Sequence, residues 1–233
     1  MKERAVLREK ITILKYESVK LSEKENQSMG SSLKAMINWT ANLKIEKYNN
    51  NESYKKGIPD DITYVKGNTA TYKGLFVLWN LVMGKSPSNP IVYEEGQEEM
   101  GVYPLNNDNT YIAVGNGTAT PSPDDTQLDA QTSGGTVNVD YYYKNCDDDY
   151  PVVLLSNPNC LQIRATFGSE MANFEWNEWG VANGDPDSPG DSRDPETVVL
   201  FNRRKDPMGR KEQGATWVIV ADLIISPSAQ SQS

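Results

Sequence analysis

A chain of 233 residues, 37% hydrophobic and 24% charged, has the length of one large domain or of one domain with an appendage. It contains no histidine and only two cysteines, Cys146 and Cys160. This excludes Ser-His and Cys-His nucleophile systems, imidazole metal ligands and a disulfide framework, and leaves free buried thiols as the expectation. The net charge of −9 is uneven: residues 1–56 carry 12 Lys/Arg against 7 Asp/Glu, while residues 57–233 carry 11 against 25.

Residues 1–56 show competing patterns. Val6, Leu7, Ile11 and Leu14 fit one helical face, whereas Ile11, Ile13, Lys15 and Glu17 fit a strand. With so little apolar surface to offset about 1–2 kcal/mol of backbone entropy per residue, an extended arm that orders on assembly is expected. It is either a solvated arm or one that docks on an acidic neighbour, such as another copy. Lys alternates with Glu along it, so no uniform basic stripe for nucleic acid forms. No apolar run reaches the roughly 18–20 residues of a membrane span, and the N-terminus has no apolar signal core, so a soluble chain made in the cytosol is expected.

Residues 71–84 are the best helix. Asn68, Thr69 and Thr71 offer capping oxygens, Leu75, Leu78, Trp79 and Val82 fall on one face, and Gly84 and Pro87 supply the stop. Apolar residues on its other sides predict burial against a sheet or at a subunit contact. Residues 85–109 form a polar excursion with an acidic run at Glu94–Glu99. Tyr111–Gly115 reads as a strand entering an Asn116-Gly117 turn, and Thr136–Tyr143 as a half-buried strand. Val152–Leu155 and Leu161–Phe167 follow as further strands, and Asp147-Asp148-Asp149 as a solvated acidic turn.

Thr166–Gly184 concentrates Phe167, Phe174, Trp176 and Trp179, and reads as a strand-and-turn hub with one buried face. Val198–Phe201 is a strand, Asn202–Gly214 a charged connection, and Thr216–Ser226 a central strand carrying Trp217 and covered on both sides. The fold class is therefore mainly β: an antiparallel sandwich-like domain over 57–226, one buried helix, an N-terminal arm over 1–56 and a C-terminal tail over 227–233. Trp79, Phe167, Phe174, Trp176, Trp179 and Trp217 are its expected core or interface anchors.

Chemistry-bearing patterns are sparse. Gly115-Asn116-Gly117 lacks the remaining residues of a phosphate-binding fingerprint. Glu175 and Glu178 flank Trp176 as a glycosidase-type carboxylate pair, but residues on the wet side of a strand supply such pairs routinely. In the loop 185–196, Asp185, Asp187, Gly190 and Glu196 occupy calcium-loop places one, three, six and twelve, with Asp191 beside them. Pro186 and Pro189 interrupt that pattern. These four acidic residues, Asp185, Asp187, Asp191 and Glu196, are a weak cation loop, calcium being the one cofactor considered.

Four segments in order carry a resemblance: NTATYKGLFVLWNLVMG (68–84), TYIAVGNGTATPSPDDTQL (110–128), ATFGSEMANFEWNEWGV (165–181) and LFNRRKDPMGRKEQGATWVIVADLIIS (200–226). Together they resemble a group of tailed-bacteriophage virion structural proteins variously labelled tail fibre, baseplate, collar or minor structural protein. The resemblance implies a non-enzymatic β-sandwich-like building block without catalytic residues. It also makes residues 183–197 an apparent insertion and a candidate contact or ion loop. What it implies for function is a virion component, assembled in the host cytoplasm, that joins or decorates other virion proteins and copies of itself. Tail, baseplate or fibre attachment comes first, then neck, collar or capsid decoration. A carbohydrate-binding module using Trp176, Trp179 or Tyr141–Tyr143 as stacking platforms is the reading from a different class.

Overall fold

The computed structural model describes residues 36–84, 103–184 and 198–228. Residues 38–226 form one compact unit; the ends of the chain, 1–37 and 227–233, form another, described only at the backbone of residues 36–37 and 227–228. Ten strands and three helices are described: β1 Met36–Tyr48, α1 Asn51–Lys56, β2 Asp61–Lys66, β3 Thr69–Ala70, α2 Tyr72–Val82, β4 Thr110–Gly115, α3 Asp129–Thr132, β5 Tyr141–Asn145, β6 Val152–Val153, β7 Cys160–Phe167, β8 Glu175–Gly184, β9 Val198–Arg210 and β10 Thr216–Ser228. They build two five-stranded antiparallel sheets packed as a sandwich, one ordered β2-β1-β10-β7-β6 and the other β3-β9-β8-β4-β5.

Alternation decides which residues meet between the sheets. Ile163, Ala165 and Phe167 of β7 face inward with Trp217, Ile219, Ala221 and Leu223 of β10, whose register pairs Phe167 with Trp217 and Ala165 with Ile219. From the other sheet come Ile112 and Val114 of β4, Trp176, Trp179 and Val181 of β8, and Val199 and Phe201 of β9. Trp176 sits between Phe167 and Trp217, with ring centroids at 4.9 and 4.7 Å in edge-to-face geometry, and donates its indole N–H to the Ala172 carbonyl at 2.9 Å. Each such ring pair adds about 0.5–1.5 kcal/mol beyond the area it buries. Lys47 closes the stack, its Nζ lying 4.7 Å from the Trp217 ring centroid and donating to the Met208 carbonyl at 2.8 Å.

The two sheets differ on their outer faces. The β1-β10-β7 sheet turns Lys44, Glu46, Gln162, Arg164 and Asp222 outward in short polar pairs. The outer face of the β9-β8-β4 sheet is instead covered by residues 116–140, and a second apolar cluster fills the gap: Leu128 and Ala130 against Tyr111, Ala113, Tyr143 and Leu200. Coverage on both faces explains why all six residues of β4, and three adjacent tyrosines of β5, are buried.

Several expectations are corrected. The arm expected over 1–56 is not an arm from residue 38 onward, because β1 lies second in its sheet and buries Ala41, Leu43 and Ile45; residues 1–35 lie outside the described residues. Asn202–Gly214 is not merely a charged connection, since β9 runs on to Arg210 and pairs with β8. The strand expected over 136–143 starts only at Tyr141; Asn138, at φ 60, breaks it, and Val139 is exposed. The Asn116-Gly117 turn opens a long covering loop, at the far end of which β5 returns to pair with β4. Finally, the outer face of β10 is covered only in part: Val218 is buried, whereas Val220, Asp222 and Ile224 are half-buried.

The helix α2 forms where its sequence predicts, but on a different face. Thr71 caps it, accepting from the Gly74 N–H at 3.0 Å while its hydroxyl donates to the Leu200 carbonyl. Gly74, Val77 and Asn80 are its buried residues. Trp79, an expected anchor, is 62% exposed, and Leu75 and Val82 also turn outward. The contact that selects this face is Gly74, whose missing Cβ lets the helix backbone touch that of Phe201.

Gly74→Ala tests this contact by sign. On an exposed helix the change stabilises by roughly 0.5–1 kcal/mol; here the methyl meets β9 backbone, so urea denaturation should show a loss of about 1–3 kcal/mol.

Candidate functional site

The most elaborate polar arrangement among the described residues lies under the 116–130 loop. Arg203, 2% exposed on β9, donates from Nε to Glu178 Oε2 at 2.7 Å, from Nη1 to Asp125 Oδ2 at 2.8 Å and from Nη2 to the Ala119 carbonyl at 3.0 Å. Glu178 on β8 is fully buried and accepts further hydrogen bonds from the backbone N–H of Asp129 and Ala130, at 2.9 and 2.8 Å. Asp129 in turn accepts from the N–H of Ala119 and Thr118, both at 2.8 Å. These two bonds hold its carboxylate below the ordinary range, against the opposing effect of burial. Burial works against the Arg203 charge, but Asp125 and Glu178 outweigh it and raise its pKa.

The loop is shaped to this network. Gly117 packs its Cα against the Glu178 carboxylate and the Ala130 backbone, so a side chain there has no room. The Tyr72 N–H at the start of α2 donates to the Pro123 carbonyl at 2.9 Å, and the Thr71 N–H donates to the Phe201 carbonyl at 3.1 Å. Residues 68–84, 110–128, 165–181 and 200–226 thus meet: α2 and the 116–130 loop are both fastened to Glu178 and Arg203 or to the β9 backbone beside them. Arg203 and Glu178 are each held by several protein partners, which suits the pair to hold the loop over the sheet.

Two further polar anchors went unread in the sequence. Asp147 accepts from Arg164 Nη1 at 2.7 Å and from the Thr166 N–H and hydroxyl at 2.9 and 2.7 Å. It therefore joins the β5–β6 connection to β7 and is not a solvated acid. Lys211 is fully buried, its Nζ donating to the Gly168 carbonyl and to Asn173 Oδ1, each at 2.7 Å.

An apolar cavity of about 270 Å³ opens at the end of the sandwich where β1 begins and β10 finishes, lined by Trp39, Leu78, Leu105, Leu161, Phe201 and Leu223 among others. Its wall offers hydrocarbon contact and no convergent polar groups. Both cysteines are free and buried. Burial pushes the Cys146 thiol up to about 12 and the Cys160 thiol up to about 11, so neither is an activated nucleophile.

The residues singled out from sequence divide as follows. Phe167, Phe174, Trp176, Trp179 and Trp217 all lie in the core between the sheets. Glu175 is exposed while Glu178 is fully buried in the Arg203 pair, so the two do not form a solvent-facing carboxylate pair. The cation-loop residues Asp185, Asp187, Asp191 and Glu196 lie outside the described residues, as does the acidic run at 94–99. Among the described residues no cluster of three or more Cys, Asp or Glu side chains is placed to hold a metal ion. The chain matches no protein-family model, no curated protein and no solved structure.

Two consequences are measurable. Arg203→Met leaves Glu178 buried beside the severed half of its pair, and should cost about 3–5 kcal/mol in denaturant unfolding. Adding Glu178→Gln, which removes the buried charge and keeps an acceptor oxygen for one of the Asp129 and Ala130 N–H groups, which bond separate carboxylate oxygens, should return part of that loss. Additive losses would show that the pair is not the coupled unit the geometry draws.

Lys211 gives a pH signature. Burial pushes its ammonium down to about 8, against an ordinary value of 10.5, so below pH 8 the folded chain carries the full cost of the buried charge. Between pH 8 and 10.5 the folded state sheds the proton before the unfolded chain does, and the cost is removed. At about 1.4 kcal/mol per pH unit, stability from this group rises by up to about 3 kcal/mol across that window. The raised thiols act oppositely above pH 9, so the readout is wild type minus Lys211→Met, in which they cancel. That difference should climb from pH 8 to 10.5, and a flat line would overturn the assignment.

Proposed function

We propose that the chain is a non-enzymatic structural component of a tailed-phage virion, joining or decorating other virion proteins and copies of itself in the tail, baseplate or fibre-attachment region. The observation that supports this reading is the convergence at the Arg203–Glu178 network. The segments that resemble virion structural proteins are the parts that lock one loop and one helix onto a sheet. A motif set whose members hold one another in place belongs to architecture, and the resemblance rests on those members.

The glycan-binding alternative loses the platforms proposed for it. Trp176 and Trp179 are fully buried, and Tyr141, Tyr142 and Tyr143 are at most 6% exposed, so none presents a ring face to a sugar. The virion reading is tested by localisation in the intact particle. Antibody against the chain, or a tag on it, should label purified virions at the tail end; particles that assemble without the chain, or that never contain it, would remove the proposal. Label at the neck or head surface would keep the structural role and reassign its position.

A further inference from the structure

Soluble domains expose single apolar side chains freely but seldom align several large ones on one element. The helix α2 does so. Its outward residues Tyr72, Trp79, Val82 and Met83 are 65, 62, 69 and 55% exposed, and Leu75 completes the row. Tyr72, Leu75, Trp79 and Val82 follow one another at spacings of three, four and three, which is the spacing of a helix–helix seam. Their backbone is held rigidly, because the opposite face carries Gly74 against Phe201 and Thr71 against Leu200.

We propose that this stripe is a self-association surface, on which α2 of a second copy packs antiparallel about a two-fold axis. Three observations select a second copy as the occupant. The stripe is self-complementary: Lys73 is the one charged residue of the helix, near its N-terminus, so an antiparallel pair places the two lysines at opposite ends and avoids like-charge contact. Antiparallel helices also set their dipoles in the favourable sense. The area is sufficient: with about 150–250 Å² for a whole aromatic side chain and less for aliphatic ones, the exposed fractions leave roughly 500 Å² per copy. Two copies then remove about 1,000 Å², the threshold of a specific interface. Trp79 at the middle of the row is the residue type on which such interfaces concentrate their energy.

This inference stands on the helix surface and does not require the virion reading. Its measurement, mass in solution, fails independently of particle labelling. Sedimentation equilibrium of the full chain across the micromolar range should show a monomer–dimer equilibrium. Trp79→Lys, and separately Val82→Lys, should each raise the dissociation constant at least about tenfold with unchanged circular dichroism. Both side chains point away from the core, so the variants retain the fold; if one of them loses it, the other carries the test. A full chain that stays monomeric throughout, or that self-associates equally well with either substitution, overturns the proposal.

Discussion

A guanidinium sealed beneath a loop is tolerable only when each of its N–H faces meets an acceptor, and Arg203 meets that condition. Its three nitrogens reach Glu178, Asp125 and the Ala119 carbonyl, while the far side of Glu178 is taken by two backbone N–H groups. The desolvation of such a pair costs several kcal/mol per ion, so its Coulombic gain is largely consumed. What the network adds is geometry. Residues 116–128 have no ladder of their own to satisfy their backbone, and the charged groups under them supply acceptors at fixed points, so the loop settles in one conformation over the sheet.

The rest of the fold follows from that covering. With the loop in place, the β9-β8-β4 sheet is apolar on both faces, and Tyr111, Tyr143, Leu128 and Leu200 form a second core behind the first. The opposite sheet needs only one apolar face. Its outer surface carries pairs such as Lys44–Glu46, partly exposed and worth little to stability. The tryptophan stack between the sheets and the locked loop behind one of them are therefore the two places where stability concentrates. One indole beside that stack in the core is imperfectly placed: the Trp179 N–H is buried without an acceptor, a cost the surrounding packing has to offset.

The sandwich class was legible because alternation is a local property. Leu161–Phe167 and Thr216–Leu223 display it in plain order, and both are strands. The helix was legible from its cap and stop, but its orientation was not. A helix apolar all round has no face that periodicity can choose, and the choice fell to Gly74, the residue with least apolar weight. The same limit hid the second half of β9 and the buried state of Glu178. Charged residues signal solvent in any local pattern, and only a partner 25 positions away, Arg203 for Glu178, reverses the meaning. The Asp125 that completes the network stands 78 positions from Arg203. Nothing in PSPDD or LFNRR taken alone announces it.

For the proposed self-association the consequence is preorganisation. An exposed apolar helix that is itself loosely held would spend much of its contact energy on becoming ordered, since each immobilised rotamer-rich side chain costs about 0.5–1.5 kcal/mol. Here the ordering has been done during folding: Thr71 and Tyr72 fasten the helix start to β9 and to the covering loop, and Gly74 removes the space in which it would rock. The outward row from Tyr72 to Met83 is thus presented by a fixed backbone, and the network that closes the loop also steadies the helix that carries the apolar face. The proposed self-association draws on this coupling between core and surface, because contacts between copies retain their geometry only as well as each copy retains its own.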